Sequence, residues 1–271
     1  MKRDTMTHHG MTLVEVVVAL CLVSLAIGGL IPPLSATTEL RRMAQAYADI
    51  GDIKLALLGY AQLHGHLPCP ADPRLGVAAP DAGVAAPLAG TDCRDGYHGV
   101  VPWATLGTPP LDPWGHRYTY RVARMSADGV DECRQREDRS RSMCLPDAAP
   151  SSHHATLDQL EVRERASSGV FPAGTEPVAT QLAVVIVSHG ANGSGATHAS
   201  GRPILPPDIA HDDERRNAAA TTVSYFAGSP RPSTRDCSDT RVAATRCAFD
   251  DIVAWLSHAE LLAGLALAGR L

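Results

Sequence analysis

From Val16 to Thr38 the chain carries no charged side chain, and Val16 to Val23 are apolar without a break. A helix of about 23 such residues reaches about 34 Å, against ~30 Å of hydrocarbon, so the run predicts a membrane-spanning helix. A cleaved secretion signal would need a shorter apolar stretch and a small-residue cleavage site. Here the run is too long, and Pro32-Pro33 is not followed by such a site. Lys2 and Arg3 ahead of the run predict a cytoplasmic N-terminus, with residues beyond about 36 on the far side.

One carboxylate, Glu15, stands in the first turn and a half of this apolar helix. An acid that enters hydrocarbon needs a partner. Cutting the chain after Gly10 would place a cationic amine on Met11, and a staggered neighbouring copy could set that amine against Glu15. Such a buried pair would fix the axial register between subunits. The alternative is a Glu15 that reaches headgroup water.

Gly10-Met11-Thr12-Leu13-Val14-Glu15-Val16 and the apolar run after it resemble the processing signal of type IV prepilins and type II secretion pseudopilins. The resemblance implies cleavage after Gly10 by a prepilin peptidase, methylation of Met11, and pairing of Glu15 with the amine of an adjacent subunit. Pro32 matches the position of the proline that bends or melts the helix in assembled filaments, as a missing donor and a ring clash would.

Beyond Pro33 the pattern becomes amphipathic. Leu40, Met43, Tyr47, Ile50, Ile53 and Leu57 step by three or four, which predicts an apolar stripe that something must cover. His116 to Val122 alternates Tyr118 and Tyr120 with Arg117, Thr119 and Arg121, a half-buried strand. Leu182 to Val187 is a continuous apolar run, a strand covered on both faces, and Thr221 to Phe226 is a third candidate. The expected fold is α+β and pilin-like: a long N-terminal helix with a membrane-spanning first half, packed on a small antiparallel sheet with long disulfide-tied loops. The expected organisation is a leader over 1–10, a transmembrane and filament-core helix over 11–35, and a periplasmic head over 36–271. GVAAPDA-GVAAPLA at 76–89 is a tandem duplication expected in a surface loop, and 128–169 and 196–217 read as charged, solvated excursions.

Six cysteines follow the helix: Cys69, Cys93, Cys133, Cys144, Cys237 and Cys247. An even number in an exported chain suggests disulfides, of 15 possible connectivities. Cys69 to Cys93, Cys133 to Cys144 and Cys237 to Cys247 are favoured because each pair brackets a Gly-, Pro- or charge-rich loop. A zinc site at His64, His66 and Cys69 is the rival.

Three further segments resemble the major secretion pseudopilin, in the same order along the chain. They are Asp112-Pro113-Trp114-Gly115-His116-Arg117-Tyr118, Ser188-His189-Gly190-Ala191-Asn192-Gly193 and Asp250-Asp251-Ile252-Val253-Ala254-Trp255. In that family the last two segments form a calcium-binding loop, which implies a site using Asn192, Asp250 and Asp251. Asn192 stands where an aspartate is usual, and about 56 residues separate Gly193 from Asp250, where the family has a short loop. The alternative for Asp250 and Asp251 is capping of a helix suggested by Ile252, Trp255, Leu256 and Leu262.

With 24 basic against 29 acidic residues and a net charge of −5, no global basic field exists to hold a nucleic acid. Aromatics are 4% of the chain, leaving few rings for stacking on bases. No nucleophile elbow surrounds Ser194, and no histidine falls in HExxH spacing, so no enzyme is expected; a membrane-anchored periplasmic enzyme is the rival of a different class. Calcium is the one cofactor implied. The expected function is that of a minor pseudopilin in a type II secretion filament, with a minor pilin of a type IV or competence pilus as the alternative. The resemblance implies other pilin or pseudopilin subunits, the prepilin peptidase, an inner-membrane assembly platform and membrane lipid as partners. It also implies a single-pass inner-membrane location with the head in the periplasm.

Overall fold

The computed structural model describes residues 13–86, 93–94, 96–123, 160–164, 177–204, 212–228 and 249–267, with side chains for all of these except 25–36 and 212. Two compact units are present, Met1–Ala44 and Gln45–Leu271. Helix α1 (Leu13–His64) contributes to both.

In the first unit Leu13, Val14, Val16, Val17, Val18, Leu20, Leu22 and Val23 are all exposed. Ser24 donates its hydroxyl to the Leu20 carbonyl oxygen at 2.7 Å, as a serine satisfied within its own helix does. The apolar stretch described here with its side chains, 13–24, is about 18 Å long, well short of ~30 Å of hydrocarbon, and it includes Glu15. Among the described residues no helix is long and apolar enough to cross a membrane. The expected long N-terminal helix with a membrane-spanning first half is corrected accordingly, together with the transmembrane assignment of 11–35 and the single-pass inner-membrane location. What stands is an α+β structure with no membrane-crossing helix among the described residues. Gly10 and Met11 lie outside the described residues, and so does the side chain of Pro32.

In the second unit α1 buries Ala46, Ile50, Ile53, Leu57 and Ala61, spaced by four, three, four and four on one face. Tyr47, expected on this stripe, is exposed, because it lies about 100° round the helix from Ala46. Asp49 is buried beside Ile50 and accepts a hydrogen bond from the Tyr118 hydroxyl at 3.1 Å. Burial pushes the Asp49 carboxyl up, and the bond from Tyr118 offsets part of that rise.

The strands are β1 (His98–Val100), β2 (His116–Arg117), β3 (Thr119–Val122), β4 (Glu161–Glu164), β5 (Pro177–Ala179), β6 (Leu182–Ser188), β7 (Thr197–His198), β8 (Ser224–Ala227) and β9 (Ile252–Ser257). The remaining helices are α2 (Trp103–Leu106), α3 (Asp212–Ala218) and α4 (His258–Leu267). The main sheet runs β1-β3-β6-β9 with every neighbour antiparallel. A second sheet runs β5-β4-β8, with β4 and β8 parallel, and β2 pairs with β7.

Every residue of β6 is buried. Val184 and Ile186 join the core formed with Ile53, Leu57 and Tyr120, whereas Val185 and Val187 join Leu160, Val162 and Tyr225 of the other core. Strand alternation thus serves two cores at once, which is why the sequence run has no polar positions. The expected strand at His116–Val122 also changes. That strand divides into β2 and β3, and Arg117 and Thr119, expected on the wet face, are buried. Arg117 donates through Nη2 to the Leu75 carbonyl oxygen.

Two further expectations change. Ile252 to Ser257 is strand β9, so Asp250 and Asp251 precede a strand and cap no helix. Helix α4 starts instead at a reciprocal cap, in which Ser257 accepts from the Glu260 amide through Oγ and Glu260 accepts from the Ser257 amide through Oε2. The third candidate strand begins at Ser224 rather than Thr221.

Cys69 and Cys93 form a disulfide across a sequence separation of 24, closing the loop that holds the duplicated Ala/Pro segment. Cys69 therefore offers no thiolate to a zinc ion. Cys133, Cys144, Cys237 and Cys247 lie outside the described residues. Restricting the unfolded chain by a loop of this length is worth roughly 3 kcal/mol. Replacing both Cys69 and Cys93 with alanine should lower the Tm by roughly 5 to 10 °C in thermal unfolding. An unchanged Tm would mean that the bridge carries none of the stability of the second unit.

Candidate metal centre

The three segments quoted from the sequence meet at one end of the main sheet. Asp112 organises the first. Its Oδ1 accepts the backbone amides of Trp114 at 3.0 Å and His116 at 2.8 Å, closing a turn over Pro113. Its Oδ2 accepts the Ser188 hydroxyl at 2.7 Å, fastening the first segment to the end of β6. His116 lies with Nδ1 at 3.2 Å from the Gly190 carbonyl oxygen and supplies the donor of that bond.

The turn after β6 folds back on Asp250. Gly190 has φ +56°, and a Cβ there would sit 2.5 Å from Asp250 Cγ, so only glycine lets the two backbones approach. Asp250 Oδ2 accepts the Asn192 amide at 2.8 Å. Asn192 Oδ1 accepts the Ser194 amide at 2.7 Å, and Asn192 Nδ2 donates to Glu214 Oε1 at 2.9 Å. Asn192 therefore positions two carboxylates while its own oxygen is occupied.

Helix α3 supplies the fourth wall. Glu214 and Asn217 are three apart and both fully buried on one face. Asn217 Nδ2 donates to Asp251 Oδ2 at 2.9 Å and to the Phe226 carbonyl oxygen at 2.9 Å, while its Oδ1 accepts the Phe226 amide at 2.8 Å. Behind Asp251, His189 lies with Nδ1 at 3.3 Å from Asp251 Oδ1 and Nε2 hydrogen-bonded to Thr119 Oγ1 at 2.9 Å. Hydroxyl, imidazole and carboxylate follow the order of a nucleophilic triad. All three side chains are buried, however, and Thr119 is 5% exposed.

Carboxylate oxygens of Glu214, Asp250 and Asp251 lie within 4.8 Å of one another. Each of these residues keeps one buried oxygen without a hydrogen bond: Glu214 Oε2, Asp250 Oδ1 and Asp251 Oδ1. Burial first, then the charge of Asp251, push Glu214 up to about 8. Burial, reinforced by Asp251, pushes Asp250 up to about 7 against the amide bond from Asn192. Three acids held this close in a dry site need either protons or a cation between them. Hard acid oxygens with open lone pairs fit a divalent cation, which would join the turn after β6, α3 and the start of β9.

Asn192, Asp250 and Asp251, the expected ligand set, are thus together despite their separation in sequence. Glu214, Asn217 and His189 are the additions. Glu214 and Asn217 fall in a stretch expected to be a solvated excursion; their three-residue spacing within Asp-Asp-Glu-Arg-Arg-Asn is the signal for a shared helix face. No protein-family model, no curated protein and no solved structure matches the chain.

A carboxyl whose folded pKa stands above its unfolded value stabilises the fold below the unfolded pKa and loses that contribution as pH rises through the folded one. Glu214 and Asp250 place this loss between the ordinary carboxylate range and about 8. In chelator, the Tm should fall by roughly 5 °C between pH 5 and pH 8.5, and a divalent cation should restore more at pH 8.5 than at pH 5. Glu214→Gln keeps the acceptor for Asn192, removes one charge, and should raise the chelated Tm at pH 8.5 while abolishing the cation response. A flat Tm across this range would show that the cluster is not under charge strain.

Proposed function

We propose that the chain is a pilin-like structural subunit, processed after Gly10, methylated on Met11, and assembled through the first part of α1 into a filament of the secretion type. The observation that carries this reading is the exposure of every large apolar side chain from Leu13 to Val23 on a helix with one acid, Glu15, in its first turn. Burying eight such side chains is worth roughly 10 kcal/mol or more, so a helix of this kind calls for cover. A neighbouring copy of the same helix offers matching apolar surface, and its Met11 amine offers Glu15 a counter-charge. The convergence of the Asp112, Ser188 and Asp250 segments supports a pseudopilin-like head, with a divalent cation as its fastening. The second unit reaches from Gln45 to Leu271, and a head of that size would crowd a tight lattice, which favours a minor, low-copy place in the filament.

Replacing Gly10 with a bulky residue should leave an uncleaved precursor. N-terminal mass spectrometry that finds a mature chain beginning at Met11 in that variant would remove the peptidase step. Glu15→Ala should still be processed but enter filaments at least about tenfold less well, since one unpaired Met11 amine per contact costs a few kcal/mol. Wild-type amounts of Glu15→Ala in purified filaments would contradict its pairing role.

A further inference from the structure

From the way α3 is attached, we infer that it is a cation-held latch: with the acidic centre filled it covers Phe226 and the outer edge of β8, and with the centre emptied it lifts and uncovers them. This inference rests on the reading of the cluster as a cation site and states what occupancy of that site controls.

The three acids are anchored unequally. Asp250 and Asp251 run directly into β9, which pairs with β6 and sends Ile252 and Leu256 into one apolar core while Val253 and Trp255 pack on the other. Glu214 stands on α3, a helix of 7 residues. A helix that short does not hold by itself in water, and no α3 side chain joins either apolar core among the described residues. Its inward face is Asp213, Glu214 and Asn217, so α3 is docked by polar contacts and by the close approach of Ala218 to Gly195. Glu214 is fully buried, and its Oε2 has no hydrogen bond among the described residues. A cation between the acids matches their charge; without one, the Glu214 carboxylate faces those of Asp250 and Asp251 within 4.8 Å. Like charges so placed repel, and the wall with the weakest anchorage gives way.

What α3 covers is specific. Phe226 is fully buried yet belongs to neither apolar core. The Arg216 guanidinium on α3 lies 5.5 Å from the centre of its ring. Strand β8 is an end strand of the β5-β4-β8 sheet, so one row of its backbone groups points away from β4. On that side the Asn217 side chain donates to the Phe226 carbonyl oxygen at 2.9 Å and accepts the Phe226 amide at 2.8 Å. A carboxamide bound this way supplies the donor and acceptor that a neighbouring strand would supply. Asn217 also donates to Asp251 Oδ2 at 2.9 Å, so the cap on the strand edge and the acidic centre share one side chain. Lifting α3 therefore exposes an aromatic ring and an uncapped strand edge together.

The test uses the full chain, stripped with chelator and then supplied with Ca²⁺ or, separately, Mg²⁺, at a constant pH of about 8.5 so that protons do not stand in for the cation. Brief trypsin digestion read by mass spectrometry reports α3 through its exposed Arg215 and Arg216, and the rest of the second unit through Lys54 on α1. Without cation, cleavage after Arg215 or Arg216 should be at least about tenfold faster than with it, while cleavage after Lys54 stays slow in both, because proteolysis follows the population of the opened state. Glu214→Gln removes the charge that drives α3 out, and in chelator it should be cut at Arg215 and Arg216 as slowly as the cation-loaded wild type. The comparison of wild type with and without cation needs no variant to fold. Equal rates at α3 in both conditions, or rates that rise only in step with Lys54, would overturn the latch, and a Tm still raised by either ion would leave the cation reading in place. A wild-type Tm that neither ion raises would overturn both.

Discussion

Three carboxylates within 4.8 Å of one another, Glu214 and Asp251 buried and Asp250 half-buried, are the constraint on which the second unit depends. Water would solvate them separately, and burial removes that option, so their charge must be met by protons or by a cation. Most of the surrounding polar network directs these acids. Asn192 holds Asp250 and Glu214, Asn217 holds Asp251 and the end of β8, and His189 connects Asp251 to Thr119 on β3. Elements far apart in sequence are thereby coupled through one small volume, and the cost of losing any partner is that of leaving a buried group unmatched.

The same end of the sheet is fastened a second time without charge at issue. Asp112 closes its own turn and accepts from Ser188, and His116 meets the Gly190 carbonyl oxygen. The turn after β6 is therefore gripped from both sides, by Asp112 and His116 on one and Asp250 on the other. Its glycine is required because the Asp250 backbone passes where a side chain would be. Below this knot, β6 feeds two cores, one shared with α1 and one with the β5-β4-β8 sheet.

The readings that succeed from sequence alone are local. The buried run of β6 is legible because covering a strand on both faces leaves no polar position, and the inner face of α1 is legible in part from Ile50, Ile53 and Leu57. Ala46 and Ala61, which are not part of the expected stripe, complete that face, since close approach selects small side chains that hydropathy barely marks. The Asp112, Ser188 and Asp250 segments are legible as motifs, but their meeting point is a property of the antiparallel pairing of β3, β6 and β9. Helix α3 escapes notice because its buried face is polar, made of Asp213, Glu214 and Asn217, and burial by ion and amide leaves no apolar period to detect. Arg117 misleads in the same way, as a buried charged residue whose Nη2 donates to the Leu75 backbone carbonyl oxygen. The membrane-crossing reading of the N-terminal run rests on apolar length, and the described helices do not supply that length.

Amide hydrogen exchange on the full chain, with and without added divalent cation, tests most directly whether one charge cluster organises the second unit. Coupling through the cluster requires that metal slow exchange together in 189–194, in α3 and at 249–252, with β1 little changed. Protection confined to one of these segments, or absent from all three, would contradict the account.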